Sequence, residues 1–185
     1  MLYLREDFKR AWLQKQTECK GASLAGSELA ADVAAQVVAE RAASQQDLFA
    51  QLMQLQGKEY RHVKTRRTLQ FELQGRSYFA KIHRGIGWYE VIKDLLQWRR
   101  PIIGAENEWL AIQRLTELGV ATMTTVAFGK RGRNPATMQS FIVTEDLVNT
   151  VSLEEYCASG PTHNPPFAFK LKLLNKIADV SRTLH

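Results

Sequence analysis

The sequence has no uninterrupted apolar run long enough to cross a bilayer, and the residues after Met1 lack the apolar core of a signal peptide because Arg5, Glu6, Lys9 and Arg10 break it up. The expectation is a cytoplasmic protein. Cysteine is scarce: Cys19 and Cys157 stand alone, without metal-ligand spacing, so neither a zinc site nor a disulfide framework can be read from them. What is present fits a globular chain. Its 185 residues are 45% apolar and 24% charged, enough for one ordinary core or two small lobes.

Lys and Arg outnumber Asp and Glu by 25 to 19, a formal charge of +6 that favours anionic partners. Nucleotide phosphates, nucleic acid and an acidic lipid surface all qualify on charge alone. The cations are concentrated: Lys58, Arg61, His62, Lys64, Arg66, Arg67, Arg76, Lys81, His83 and Arg84 fall between residues 58 and 84. A solvated basic face is the plain alternative reading of such a cluster.

Residues 27–56 have helical periodicity, preceded by the small-residue linker "TECKGASLAG" and stopped by Gly57. From Tyr60 the period changes to two. "YRHVK", "TLQFELQ" and "SYFAKIH" predict three consecutive antiparallel strands, the middle one with Leu69, Phe71 and Leu73 on one face. A short helix over "YEVIKDLLQW" follows, closed by Pro101. "GAENEWLAIQRLTELG" predicts a helix from about Ala105 to Leu118, with Ala111, Ile112, Leu115 and Leu118 on its buried stripe at about 100° per residue. Glu108 falls in line with that stripe and Glu106 points the other way. "TMTTVAFG" and "TMQSFIVTE" predict two more strands. Ser152 and Glu155 form a capping box opening "LEEYCA". Last comes "AFKLKLLNKIADVSRTLH", amphipathic with Leu173, Leu174, Ile177, Ala178 and Leu184 on its core side and without a terminator before His185.

Two charges sit oddly in this pattern. Lys81 lies in the middle of an apolar strand and Glu108 lies on the apolar side of a helix, and each alone is poorly satisfied. Three strands, a helix, two strands and then helices is the element order of the small lobe of a protein-kinase-like fold. That chemistry uses a strand lysine on nucleotide phosphates and a helix glutamate to hold the lysine. The expected class is therefore α+β. It comprises a kinase-like small lobe with a five-stranded antiparallel sheet plus helix, the first helices of a large lobe, and an extra N-terminal helical segment. Residues 1–57 form the N-terminal segment, with an insertion at about 14–46. Residues 58–145 form the small lobe, and 146–185 the hinge and the start of a truncated large lobe.

"KTRRTLQFELQGRSYFAKIHRGIGW", "IIGAENEWLAIQRLTELGVATMTTVAFGKRGRNP", "SFIVTEDL" and "SLEEYC" together resemble the lipopolysaccharide core heptose(I) kinase family, over residues 1 to about 13 and about 47 to the end. The resemblance implies ATP as cofactor with Mg²⁺, and transfer of phosphate to the first heptose of the inner core. It implies phosphate binding by Lys81 partnered by Glu108, and adenine contacts from Glu145, Asp146 and Leu147. It puts Lys64, Thr65, Arg66 and Arg67 in the place of the nucleotide-covering loop; His83 and Arg84 are candidates to face the acidic substrate, with ordinary strand-end surface as the alternative.

Residues 64–68 contain no glycine, so side-chain charge would replace close backbone approach to phosphate. The sequence stops with "RTLH" at His185, before the family's His-x-Asp loop. The catalytic base and the metal ligands are therefore expected beyond His185, none of them within the chain, and this portion alone is expected to be inactive. The implied partners are ATP, a lipopolysaccharide core acceptor, the missing large lobe and, peripherally, the cytoplasmic face of the inner membrane, with no nucleic acid. A 3-deoxy-D-manno-octulosonic acid kinase of the same fold is the alternative within the class. A basic module binding nucleic acid or an anionic membrane is the alternative outside it.

Overall fold

The structure, a computed structural model, describes residues 1–21, 48–63, 65–98, 104–158 and 165–184. Most of the expected inserted helix, together with Lys64, Pro101 and the terminal His185, lies outside the described residues. Contacts group the chain into one unit of residues 1–112 and 123–146 and a second of residues 113–122 and 147–185.

The first unit is built on a six-stranded antiparallel sheet of β1 (Leu2–Leu4), β2 (Lys58–Val63), β3 (Arg66–Leu73), β4 (Arg76–Arg84), β5 (Thr125–Arg131) and β6 (Gln139–Glu145), in the order β1-β5-β6-β4-β3-β2. The expected five strands are all present. The sixth, β1, corrects the count: it adds to the β5 edge by pairing Leu2 with Gly129 and Leu4 with Ala127. Its three residues are too few to show a period of two. The β3–β4 hairpin turns on Gln74 and Gly75, both at positive φ (48° and 72°), the left-handed pair of a type I′ turn.

Alternation along the strands gives the sheet two different faces. On one, Leu69, Phe71 and Leu73 of β3, Tyr78, Ala80 and Ile82 of β4, and Phe141 and Val143 of β6 are buried against Phe8, Phe49, Leu52 and Met53. Phe8 belongs to α1 (Glu6–Gly21), which runs through the first part of the expected small-residue linker, and the other three to a helical turn over residues 48–53.

On the other face, Phe128 and Ile142 meet Ala105, Trp109 and Ile112. The last three lie in or just before α3 (Glu106–Glu117), which follows α2 (Gly87–Leu96). Trp109 stacks on Phe128 with ring centroids 4.6 Å apart and planes 4° from parallel. This stacking rolls α3 toward Trp109, so Ala111, expected on the buried stripe, is exposed while Ile112 is buried. Gly119 ends the helix as expected, at φ 68° with Val120 N–H donating to Leu115 O at 2.9 Å.

In the second unit, α4 (Leu153–Ala158) is capped by Ser152, whose Oγ accepts from Glu155 N–H at 3.0 Å. The amphipathic α5 (Phe167–Leu184) differs from expectation: none of its residues is buried, although the Phe169 ring meets Tyr156 of α4 with centroids 6.0 Å apart. No described helix is long and apolar enough to cross a membrane.

Candidate functional site

Because Tyr78, Ala80 and Ile82 face the core, Phe79, Lys81 and His83 must point from the opposite face of β4. Lys81 stands across from Thr68 of β3 and Ile142 of β6, in the middle of the sheet. The Lys81 ammonium donates to the Glu108 carboxylate of α3. The two side chains keep 40% and 27% of their exposure, so the pair is open enough on one side to meet a further anion. It borders a cleft of about 680 Å³ whose wall includes Thr65, Arg66, Arg67, Thr68, His83 and Asn107. That size suits a nucleotide-sized ligand.

Glu108 is placed by how α3 begins. Ser140, fully buried on β6, accepts from Ala105 N–H through its Oγ at 3.0 Å, satisfying an amide at the head of the helix. Gly104 lets the chain approach that closely: a Cβ there would lie 2.5 Å from Ser140 Oγ and 3.2 Å from Met138 Cε. Gly104→Ala should therefore cost about 1–3 kcal/mol and weaken any anion binding at Lys81. Chemical denaturation and nucleotide titration would measure the two effects. Adding Ser140→Ala removes the colliding oxygen, so the double variant should be more stable than the sum of the singles. Strict additivity would show that the close approach does not govern the helix start.

His83 lines the same cleft, and its buried Nδ1 has no hydrogen-bond partner among the described residues. Burial, then repulsion by Arg66, lowers its pKa from the usual 6.5, with Glu108 acting in the opposite sense and Lys81 adding to the depression. The imidazole is thus neutral at neutral pH. A depressed folded-state pKa means that the unfolded chain binds the proton first, so stability should fall as pH drops below about 6.5. Denaturation midpoints at pH 7.5 and 5.5 should show a smaller loss in His83→Gln than in the parent. Equal losses would show that His83 is not held neutral by the fold.

Arg84 behaves differently. As the next residue on β4 it turns to the other face, where its guanidinium reaches Met53 O at 3.5 Å, so the structure separates the expected pair His83 and Arg84. The expected covering loop is also shorter than residues 64–68. Arg66, Arg67 and Thr68 are strand residues of β3, Thr65 O accepts from Arg84 N–H at 2.7 Å, and Lys64 lies outside the described residues. Arg67 is occupied on the sheet: its Nε and Nη2 donate to Glu59 Oε1 at 2.8 and 2.5 Å, and this holds the Glu59 carboxyl below its ordinary pKa. Arg66 pairs in register with His83.

At the end of β6 the amides of Glu145 and Asp146 are engaged, donating to Thr124 O at 2.9 Å and Ser77 O at 3.1 Å. Asp146 Oδ2 accepts from Gln70 Nε2 and Ser77 Oγ, both at 2.7 Å. The Glu145 carboxylate is held by Arg5, which also grips Asp7 through Nε at 2.6 Å. Leu147 O accepts from Thr150 Oγ1 at 2.7 Å. Sequence reasoning missed Arg5, Gly104, Asn107 and Ser140. Ser140 left one trace, a lone hydroxyl beside the apolar run "FIV" of β6. Among the described residues no cluster of His, Cys, Asp and Glu is arranged to hold a metal ion.

Comparison with known proteins bears on the family and the fold. The model of the "Lipopolysaccharide kinase (Kdo/WaaP) family" matches residues 50–185. The lipopolysaccharide core heptose(I) kinase WaaP of Escherichia coli is 50% identical over 139 residues, and so is that of Pseudomonas aeruginosa. Each match covers 75% of this chain and 52% of the relative, so the chain spans about half the length of the curated relatives it matches. A solved structure, WaaP in complex with acyl carrier protein, superposes with a TM-score of 0.67 at 36% identity, covering 100% of this chain and 56% of that one.

Proposed function

The chain belongs to the lipopolysaccharide kinase (Kdo/WaaP) family, and from that premise we propose that it forms the nucleotide-holding part of an ATP-dependent kinase for the first heptose of the lipopolysaccharide inner core. The observation that carries the reading is the Lys81–Glu108 pair bordering a cleft of about 680 Å³. Bound ATP would supply the transferable phosphoryl group. The residues present suit its polyphosphate: Lys81 offers an ammonium fixed in direction by Glu108, Arg66 adds charge one strand away, and the partnerless His83 Nδ1 provides a polar wall. The adenine edge falls to the backbone from Glu145 to Leu147, through carbonyls or the Leu147 amide, since the Glu145 and Asp146 amides are engaged.

The general base and the Mg²⁺ ligands belong, in this proposal, to the part of the relatives' length that this chain does not span. With such an acceptor the enzyme would work in the cytoplasm, at the inner-membrane face. An acyl carrier protein is a further proposed partner, because the solved relative is in complex with one. Heptose is preferred to 3-deoxy-D-manno-octulosonic acid as acceptor because the matched curated relatives are named heptose(I) kinases.

The test is transfer of labelled γ-phosphate from ATP by the protein extended to its relatives' length. Two acceptors would be compared, one ending in the first heptose and one lacking it. Label in the first acceptor only is the expected result. Label in the second would move the assignment to the other sugar, and no label in either, with ATP bound, would overturn it.

A further inference from the structure

Helix α2 has three distinct sides. Val91 is buried and pins it to the first unit, while Glu90 and Asp94 line the wall of the Lys81 cleft. The remaining arc, about 120° wide at 100° per residue, carries Trp88, Tyr89, Ile92, Leu95 and Leu96. All five are exposed, Trp88 at 54%, Tyr89 at 78% and Leu96 at 76%. Among the described residues nothing covers this arc, and Val91 is the buried residue of the helix. Nor is the helix a candidate to span a bilayer: its ten residues rise only about 15 Å.

We propose that this arc of α2 is an interfacial docking face for an anionic phospholipid surface, lying flat on the bilayer with Trp88 and Tyr89 at headgroup depth. The composition fits that occupant better than a protein groove. Trp and Tyr combine an apolar body with a polar edge and settle at membrane–water boundaries, and Lys93, at the margin of the arc, is paired with Glu90 at 2.9 Å. The chain's charge of +6 favours an anionic surface over a neutral one.

Position supplies the second argument, and it rests on the kinase reading. The helix that offers the apolar arc outward also contributes two carboxylates to the cleft wall, so docking it would hold the cleft beside the surface in which a lipid-borne acceptor is embedded.

Cosedimentation of the 185-residue chain with vesicles of phosphatidylglycerol and phosphatidylethanolamine tests this directly. The parent should bind these vesicles and bind phosphatidylcholine vesicles several-fold less. Trp88→Ser combined with Leu96→Ser should lower partitioning at least about tenfold. Both positions are exposed, so the circular dichroism, the thermal midpoint and the nucleotide affinity should stay as in the parent. Lys93→Glu should give a smaller loss that high salt reduces.

Undiminished binding by the double variant, or no binding by the parent, would overturn the proposal. So would a doubling of molecular mass that the double variant abolishes, since a second copy would then be the occupant. Trp88 shielded from iodide without vesicles, in the protein extended to its relatives' length, would overturn it as well. Loss of vesicle binding with nucleotide binding intact counts against this inference alone, and the converse counts against the kinase reading alone.

Discussion

Lys81→Ala, introduced into the protein extended to its relatives' length, should lower phosphoryl transfer by about two to three orders of magnitude. Its effect on stability should be less than about 1 kcal/mol. The contrast follows from where the pair sits. With 40% of Lys81 and 27% of Glu108 still exposed, water screens their attraction, and Glu108 can hydrate once its partner is gone. The fold therefore loses little. A triphosphate drawn into the cleft would lose its centrally placed ammonium, and neither Arg67, occupied by Glu59, nor Arg84, on the other face, can replace it.

Glu108→Gln should give a smaller defect, because the lysine keeps its charge and loses only its orientation. Lys81→Arg should not restore transfer, since a planar guanidinium cannot occupy a site shaped for a compact ammonium. Steady-state kinetics alongside denaturant unfolding would separate the two effects. Transfer that survives Lys81→Ala would remove the pair from the mechanism. A stability loss above about 3 kcal/mol would make the pair a structural one.

Lys81 and Glu108 are legible in the sequence because each breaks its local pattern. A cation inside "YFAKI" and a carboxylate on an apolar helix stripe both call for a partner, and the order of elements brings them together. The strands are legible for the same reason that β4 has two unlike faces: a period of two separates Tyr78, Ala80 and Ile82 from Lys81 and His83.

The same period, carried one residue further, sends Arg84 away from His83, which is why the two do not form a substrate-facing pair. Register is harder to read. The irregularity between Glu59 and Arg61 shifts β2 against β3, so the Arg67–Glu59 pair does not follow from counting back from the turn. Long-range polar contacts leave almost no trace. Nothing near Arg5 in sequence points to Glu145, 140 residues away, and Gly104 shows its purpose only once Ser140 is seen against it.

Phe8→Ala should cost about 3–5 kcal/mol, more than either Gly104→Ala or Lys81→Ala. The residue keeps 1% of its exposure, and its ring meets Trp12 at 6.1 Å and the edge of Tyr78 at 5.4 Å, with Phe71 stacked on Tyr78 in turn. Its neighbours come from a helix and two strands, which cannot all close on the vacated volume without moving the sheet. Against a total of about 5–15 kcal/mol for a domain of this kind, the loss would leave a measurable unfolded fraction under mild denaturant.

The consequence reaches the site through β4. Tyr78, Ala80 and Ile82 rest on this core while Lys81 projects from the reverse side of the same strand, so loosening one face frees the other. Nucleotide affinity in Phe8→Ala should therefore fall with the folded fraction and return when a stabilising osmolyte refolds the lobe. Lys81→Ala should show no such recovery. Urea titration with and without the osmolyte measures both. A cost below about 1 kcal/mol would mean that α1 is peripheral to the core, and that the sheet holds Lys81 without it.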